Sequence, residues 1–146
     1  MNHRILAASL AASLAAAASA MAASAPASEP ARIVSEYATW AGGHDNAGAL
    51  VAGLHDGSAI TIATTSADHH VSLAGFTPNA TMSYGNVGAA LAGARSELAR
   101  LGIRHPSADQ IQAVLIGGEL ALGGGRTREV RGTVAVRGGN PQLATR

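Results

Sequence analysis

The sequence predicts an α+β fold: short N-terminal helices, a β-hairpin, a central α-helical hairpin, and a short C-terminal strand or helix. Three observations carry this. Apolar residues recur at helical spacing from Ile33 to Ala41 and again, more strongly, from Val87 to Leu101. Between them, β-branched residues alternate at strand spacing around Ile60 and Ile62. Gly, Asp or Pro punctuates each change of period, as in Gly42-Gly43, Asp56-Gly57, Pro78 and Gly117-Gly118.

Each element follows from its residues. In "RIVSEYATWAGG", Ile33, Tyr37 and Trp40 share one helical face, with Val34 and Ala41 beside them, and Gly42-Gly43 stops the helix. In "HDNAGALVAGLHDG", Asp45 or Asn46 is the expected N-cap, Leu50, Val51 and Leu54 form the stripe, and Asp56-Gly57 ends it. "SAITIATT" and "HHVSLAGFTP" are two strands joined through "SADHH". Ile60 and Ile62 define one buried face of the first; Val71, Leu73 and Phe76 are the apolar residues of the second, and Gly75 is a candidate bulge. A long helix then begins near Ser83, with Val87, Leu91, Ala94, Leu98 and Leu101 on one stripe. Gly102 suits a left-handed helix ending, with Ile103 folding back on Leu98. Ser107 and Gln110 form a capping box for the next helix, whose Ile111, Val114 and Leu115 face back. "ELAL" is a short strand, and "EVRGTVAVR" is strand by its valine alternation, with a helix as the alternative.

The N-terminus has the three parts of a secretory signal peptide: a basic start in "MNHR", an apolar run, and small-residue cleavage sites around Ala20 and Ala22. We therefore expect a signal peptide over residues 1–22, a flexible linker over 23–31, one small α+β domain over 32–138 and a disordered tail over 139–146. An uncleaved anchor is the rival reading, but the run is mostly Ala, which partitions weakly into lipid. After cleavage no stable membrane span is expected, and the expected location is periplasmic or secreted.

Composition narrows the function. The chain has no Cys, so an exported domain would lack disulfides, and one Trp, one Phe and two Tyr leave its core to Ala, Leu, Val and Ile. All basic residues are Arg; acidic groups dominate up to Ala94 and arginines after it.

The stretch "FTPNATMSYGNVGAALAGARSELARLGIRHPSADQIQAVLIGG", preceded by "NAGALVAGLHDGSAITI", resembles a set of small secreted proteobacterial proteins. The shared features are the F-T-P stretch, the Y-G-N-V helix start, the Gly-Ile turn, the P-S-x-x-Q-I-Q helix and the Gly-Gly stop. The resemblance implies export and an α+β layout. It implies no activity, so no catalytic or cofactor-binding residues transfer.

Four chemistries were weighed on the residues. The helical hairpin from Ser96 to Leu115 has the outline of a DNA-reading unit, but its second helix, "SADQIQAVL", carries no Arg or Lys, so no nucleic-acid partner is expected. His44, Asp68, His69 and His70 are candidate ligands for zinc or copper, although no H-x-x-x-H or H-E-x-x-H spacing exists. A secreted hydrolase lacks a G-x-S-x-G elbow and any Cys nucleophile. An interaction module needs none of these signatures, and Arg126, Arg128 and Arg131 offer charge to an anionic envelope polymer. The expectation is therefore an exported envelope or secreted protein acting as a non-catalytic binding module. Its partner is an unidentified protein or an anionic envelope polymer. The alternatives are a weak transition-metal-binding periplasmic protein using the His/Asp loops and, third, a secreted hydrolase.

Overall fold

The computed structural model describes residues 25–135, which form an α+β fold. The expected signal peptide and C-terminal tail lie outside the described residues. The elements run α1 (Glu29–Tyr37), α2 (His44–Asp56), β1 (Ile60–Thr65), β2 (Val71–Phe76), α3 (Tyr84–Arg100), α4 (Ala108–Ile116), β3 (Gly118–Gly123) and β4 (Arg126–Val130). The strands make two separate antiparallel hairpins, β1–β2 and β3–β4. Helix α4 is the hub, in contact with α3, both strands of the first hairpin and β3 of the second.

Helix α1 begins at Glu29, with Pro30 in its first turn, so the last three residues of the expected linker are helical. It ends at Tyr37, and Trp40 and Ala41 are buried from the turn that follows. Helix α2 starts two or three residues earlier than its polar residues suggest. Its N-cap is Gly43, with no side-chain cap, which places Asp45 and Asn46 inside the first turn. Gly57 ends it in the left-handed conformation, at φ 66°. Gly53 lets α2 lie directly on β1: a Cβ there would sit 2.1 Å from Ile60 Cγ1.

In the first hairpin, Ile60 pairs with Phe76 and Ile62 with Ala74, and all four are buried. The ladder is continuous through Thr61 and Gly75, so the expected bulge at Gly75 does not form. The irregularity lies instead in the second hairpin, between Ala121 and Gly123. Val71 and Leu73 project from the opposite face of β2 and are 69% and 66% exposed. Period two explains this: once Phe76 and Ala74 point inward, odd-numbered positions must point outward.

The helical hairpin forms as its sequence indicates. Val87, Leu91, Ala94 and Leu98 are buried along α3. Gly102 has φ 79°, and the Ile103 N–H reaches the Leu98 carbonyl at 2.9 Å, closing the helix end. On α4, Ser107 and Gln110 make the full reciprocal capping box, and Ile111, Val114 and Leu115 are buried.

The C-terminal part is a strand, but displaced from the valine-rich run. Strand β4 ends at Val130, and the expected extension to Arg137 forms no ladder within the described residues. Residues after Val130 turn across the end of α4, where the Val134 N–H donates to the Leu115 carbonyl at 2.7 Å. Gly132 permits this crossing, because a Cβ would come within 2.2 Å of the Ile116 carbonyl carbon. Val130 and Val134 are both buried, so the alternation marks burial without marking a strand.

Two predictions follow from the core. Leu98 is fully buried. Leu98→Asp loses about 1.5–3 kcal/mol of apolar burial and adds an unpaired buried charge costing several kcal/mol more. That is comparable with the whole stability of a small domain, so circular dichroism should show no cooperative melt; melting at the parental temperature would refute the packing described. Tyr37 is buried edge-on against Trp40 at 5.9 Å, with the Arg95 guanidinium 4.7 Å above its ring. Burial pushes its phenol above the ordinary tyrosine value, with Arg95 opposing and Glu36 adding to the rise. The folded state thus holds the Tyr37 proton more tightly than the unfolded chain. Its contribution is complete below the unfolded value of about 10 and is lost as pH rises through the higher folded value. Denaturant midpoints should fall from about pH 10 upward, and less steeply in Tyr37→Phe.

Candidate functional site

Three turns meet at one end of the first hairpin. They are the α1–α2 turn with Thr39, Trp40 and Gly42, the β1–β2 turn running through Ser66, Ala67 and His70, and the α3–α4 turn with His105, Pro106 and Ser107. They enclose a cleft of about 810 Å³, within the range of small-molecule sites.

The walls are held by hydrogen bonds from side chains to the backbone. Asn46 reaches from α2 to the outer edge of β1. Its Nδ2 donates to the Ala63 carbonyl at 2.6 Å and to the Ala41 carbonyl at 2.8 Å, while its Oδ1 accepts the Ala63 N–H at 3.1 Å. The amide therefore pairs with Ala63 as a neighbouring strand would, and it ties the Trp40 turn to β1. On the other side, Thr64 is buried and its hydroxyl accepts the Ala108 N–H at 2.8 Å. The Ser72 hydroxyl accepts the Asp109 N–H at 3.3 Å and donates to the Asp109 carboxylate at 2.6 Å. These three bonds fix the first turn of α4 to the hairpin.

The β1–β2 turn has no glycine. It closes through the Ser66 N–H to the His70 carbonyl and the His69 N–H to the Ser66 carbonyl. His69 supplies the left-handed residue, at φ 61°, a conformation that His tolerates better than most side chains.

The candidate metal ligands do not converge. His44 is exposed at the start of α2, and Asp68, His69 and His70 are exposed in the hairpin turn. Among the described residues no three His, Asp or Glu side chains form a group suited to a metal ion. Of the four, only His70 lines the cleft, and its companion there is His105. Nothing in the sequence links these two across the long α3 helix; only the fold does.

Other singled-out residues have structural work. His55 stacks on Tyr84 at 3.9 Å, with its Nδ1 donating to the Met82 carbonyl at 2.7 Å. Gln110 donates to the Ala121 carbonyl and Gln112 to the Gly75 carbonyl, so both glutamines of α4 brace the hairpins. Arg126, Arg128 and Arg131 are exposed on and after β4. Within the cleft, Ser66 Oγ accepts the His70 N–H, Ser72 Oγ bonds Asp109 and Ser107 Oγ caps α4. No serine hydroxyl is hydrogen-bonded to an imidazole among the described residues.

Comparison of the chain with protein-family models, curated proteins and solved structures gives no match. No described helix is long and apolar enough to cross a membrane.

The Thr64 bond generates a prediction. Thr64→Val keeps the shape but leaves the Ala108 N–H buried without an acceptor, which costs about 1–3 kcal/mol. Urea unfolding should show a lower midpoint at an unchanged slope; an unchanged midpoint would remove Thr64 from the account of how the cleft is held.

Proposed function

We propose that this chain is an exported envelope or secreted protein that acts as a non-catalytic binding module, with the three-turn cleft as its ligand site. The observation that supports it is the cleft itself. Its lining includes Trp40, whose buried Nε1 has no hydrogen-bond partner among the described residues. A buried donor left unpaired is uncommon. Export follows from the leader's basic start, apolar run and small-residue cleavage sites. The arginines of the second hairpin, Arg126, Arg128 and Arg131, offer a separate contact to an anionic envelope polymer or a protein partner.

A second reading, a weak zinc or copper site, is favoured by the two imidazoles of His70 and His105 on one cleft. It needs further ligands from water, since no third candidate joins them among the described residues. Calorimetric titration with zinc separates the two: saturable heat lost in His105→Ala would favour the metal.

The chain has one Trp, and it lines the cleft, so its emission reports occupancy directly. A diverse panel of small organic molecules should contain binders that shift Trp40 emission and raise the melting temperature. A ligand at 100 times its dissociation constant adds about 2.7 kcal/mol of stability. Thr65→Phe fills the cleft from an exposed wall position and should abolish both responses without lowering the melting temperature. Binders unaffected by that substitution, or none in the panel, would overturn the cleft as the ligand site. Intact mass of the exported protein should show a start after Ala20 or Ala22; Met1 retained on intracellular material would overturn export.

A further inference from the structure

The polar side chains of the cleft divide into those committed to the fold and those that are not. Thr64 accepts from Ala108, Ser72 is bonded to Asp109, and Ser66 accepts from the hairpin turn. Ser107 and Gln110 satisfy each other's backbone in the capping box, and the Gln110 amide also donates to Ala121. The side chains of Thr39, Thr65, His70 and His105 make no hydrogen bond among the described residues, and Trp40 Nε1 is buried without one.

This remainder has a chemical bias. Indole N–H is a donor only, each neutral imidazole carries one donor, and hydroxyls donate or accept. Among the described residues no Asp, Glu, Arg or Lys lines the cleft. The carboxylate of Asp109, in the first turn of α4, is engaged by the Ser72 hydroxyl. A cationic ligand would therefore lose its hydration with no anion to replace it. An acceptor-bearing ligand meets two imidazoles able to donate. Trp40, Val71 and Pro106 supply apolar wall around these donors. The first turn of α4 is not itself the anion site, because Thr64, Ser72 and Ser107 already accept its N–H groups.

On the reading of this cleft as a ligand site, we propose that it takes a small organic acid, with an apolar body against Trp40, Val71 and Pro106 and a carboxylate facing His70 and His105. The acid's carboxylate accepts from the imidazoles; the body covers apolar wall that water otherwise wets.

Three isosteric probes test this on the full mature chain: benzoate, benzamide and benzylamine, each titrated while Trp40 emission and melting temperature are followed. Benzoate should saturate, benzamide should bind roughly tenfold more weakly, as expected when a charge-assisted hydrogen bond becomes a neutral one, and benzylamine should give no response. His105→Ala and His70→Ala alter exposed side chains. Each should retain the parental melting temperature and bind benzoate roughly tenfold more weakly. If benzamide or benzylamine binds as well as benzoate, or if both His variants keep full benzoate affinity, the organic-acid assignment is overturned while the cleft stands as a ligand site. If no probe alters emission or melting, both fall.

Discussion

The fold depends on how the N-terminus of α4 is satisfied. A helix start presents N–H groups with no partner inside the helix, and α4 begins in the middle of the molecule. Ser107 and Gln110 meet part of the demand locally through the capping box. The rest is met from a distance: Thr64 of β1 accepts the Ala108 N–H and Ser72 of β2 accepts the Asp109 N–H. These bonds orient the first hairpin on the helix, and the apolar face of the hairpin, Ile60, Ile62, Ala74 and Phe76, then closes over the core. At the other end of α4, Val134 takes the Leu115 carbonyl. Both ends of one nine-residue helix are thus finished by residues far away in sequence, which suits the hub of a domain with few large side chains.

Small residues compensate for that scarcity by letting backbones approach. Gly53 brings α2 against Ile60, and Gly132 brings the chain after β4 against the end of α4. Alanines at 41, 47, 94 and 108 are fully buried. Close approach recovers dispersion contacts that larger side chains would otherwise supply. It also makes the packing intolerant of added volume, because the atoms facing these glycines are an Ile side chain and main chain. The three aromatic residues of the N-terminal third and second hairpin strand, Tyr37, Trp40 and Phe76, are all buried, so the chain spends its few large rings on the core.

The local elements were legible in the sequence because their signals are local. The helix stripe from Val87 to Leu101, the Gly102 ending, the Ser107–Gln110 box and the Ile60–Ile62 alternation each act within a few residues, and each forms as its chemistry dictates. Reading failed where tertiary demands compete with local ones. Asp45 and Asn46 are good caps, yet α2 starts at His44, because Asn46 is used instead to pair with Ala63. Val71 and Leu73 are strand-forming and apolar, yet face outward, because Phe76 and Ala74 set the phase of β2. The valine alternation past Val130 encodes burial of Val134 over α4, not a ladder. Sequence adjacency puts His69 beside His70. The fold separates that pair from His44 and instead places His70 with His105 on one cleft. No spacing rule would find such a pair, because α3 lies between them.

The same division of labour explains why a cleft persists where the three turns meet. The segments that wall it are each anchored, by Asn46 to β1, by Ser66 within the hairpin turn and by Thr64 and Ser72 to α4. Anchors of this kind fix the main chain while leaving the tips without side chains large enough to fill the space between them. Thr39, Thr65, Ala67 and Ser107 are all small, and the largest ring nearby, that of Trp40, is turned into the core against Tyr37. Its indole N–H is the residue of that compromise: the ring gains burial, and the nitrogen has no acceptor among the described residues. The side chains that anchor the turns are thus distinct from Thr39, Thr65, His70 and His105, which line the same cleft and make no side-chain hydrogen bond among the described residues.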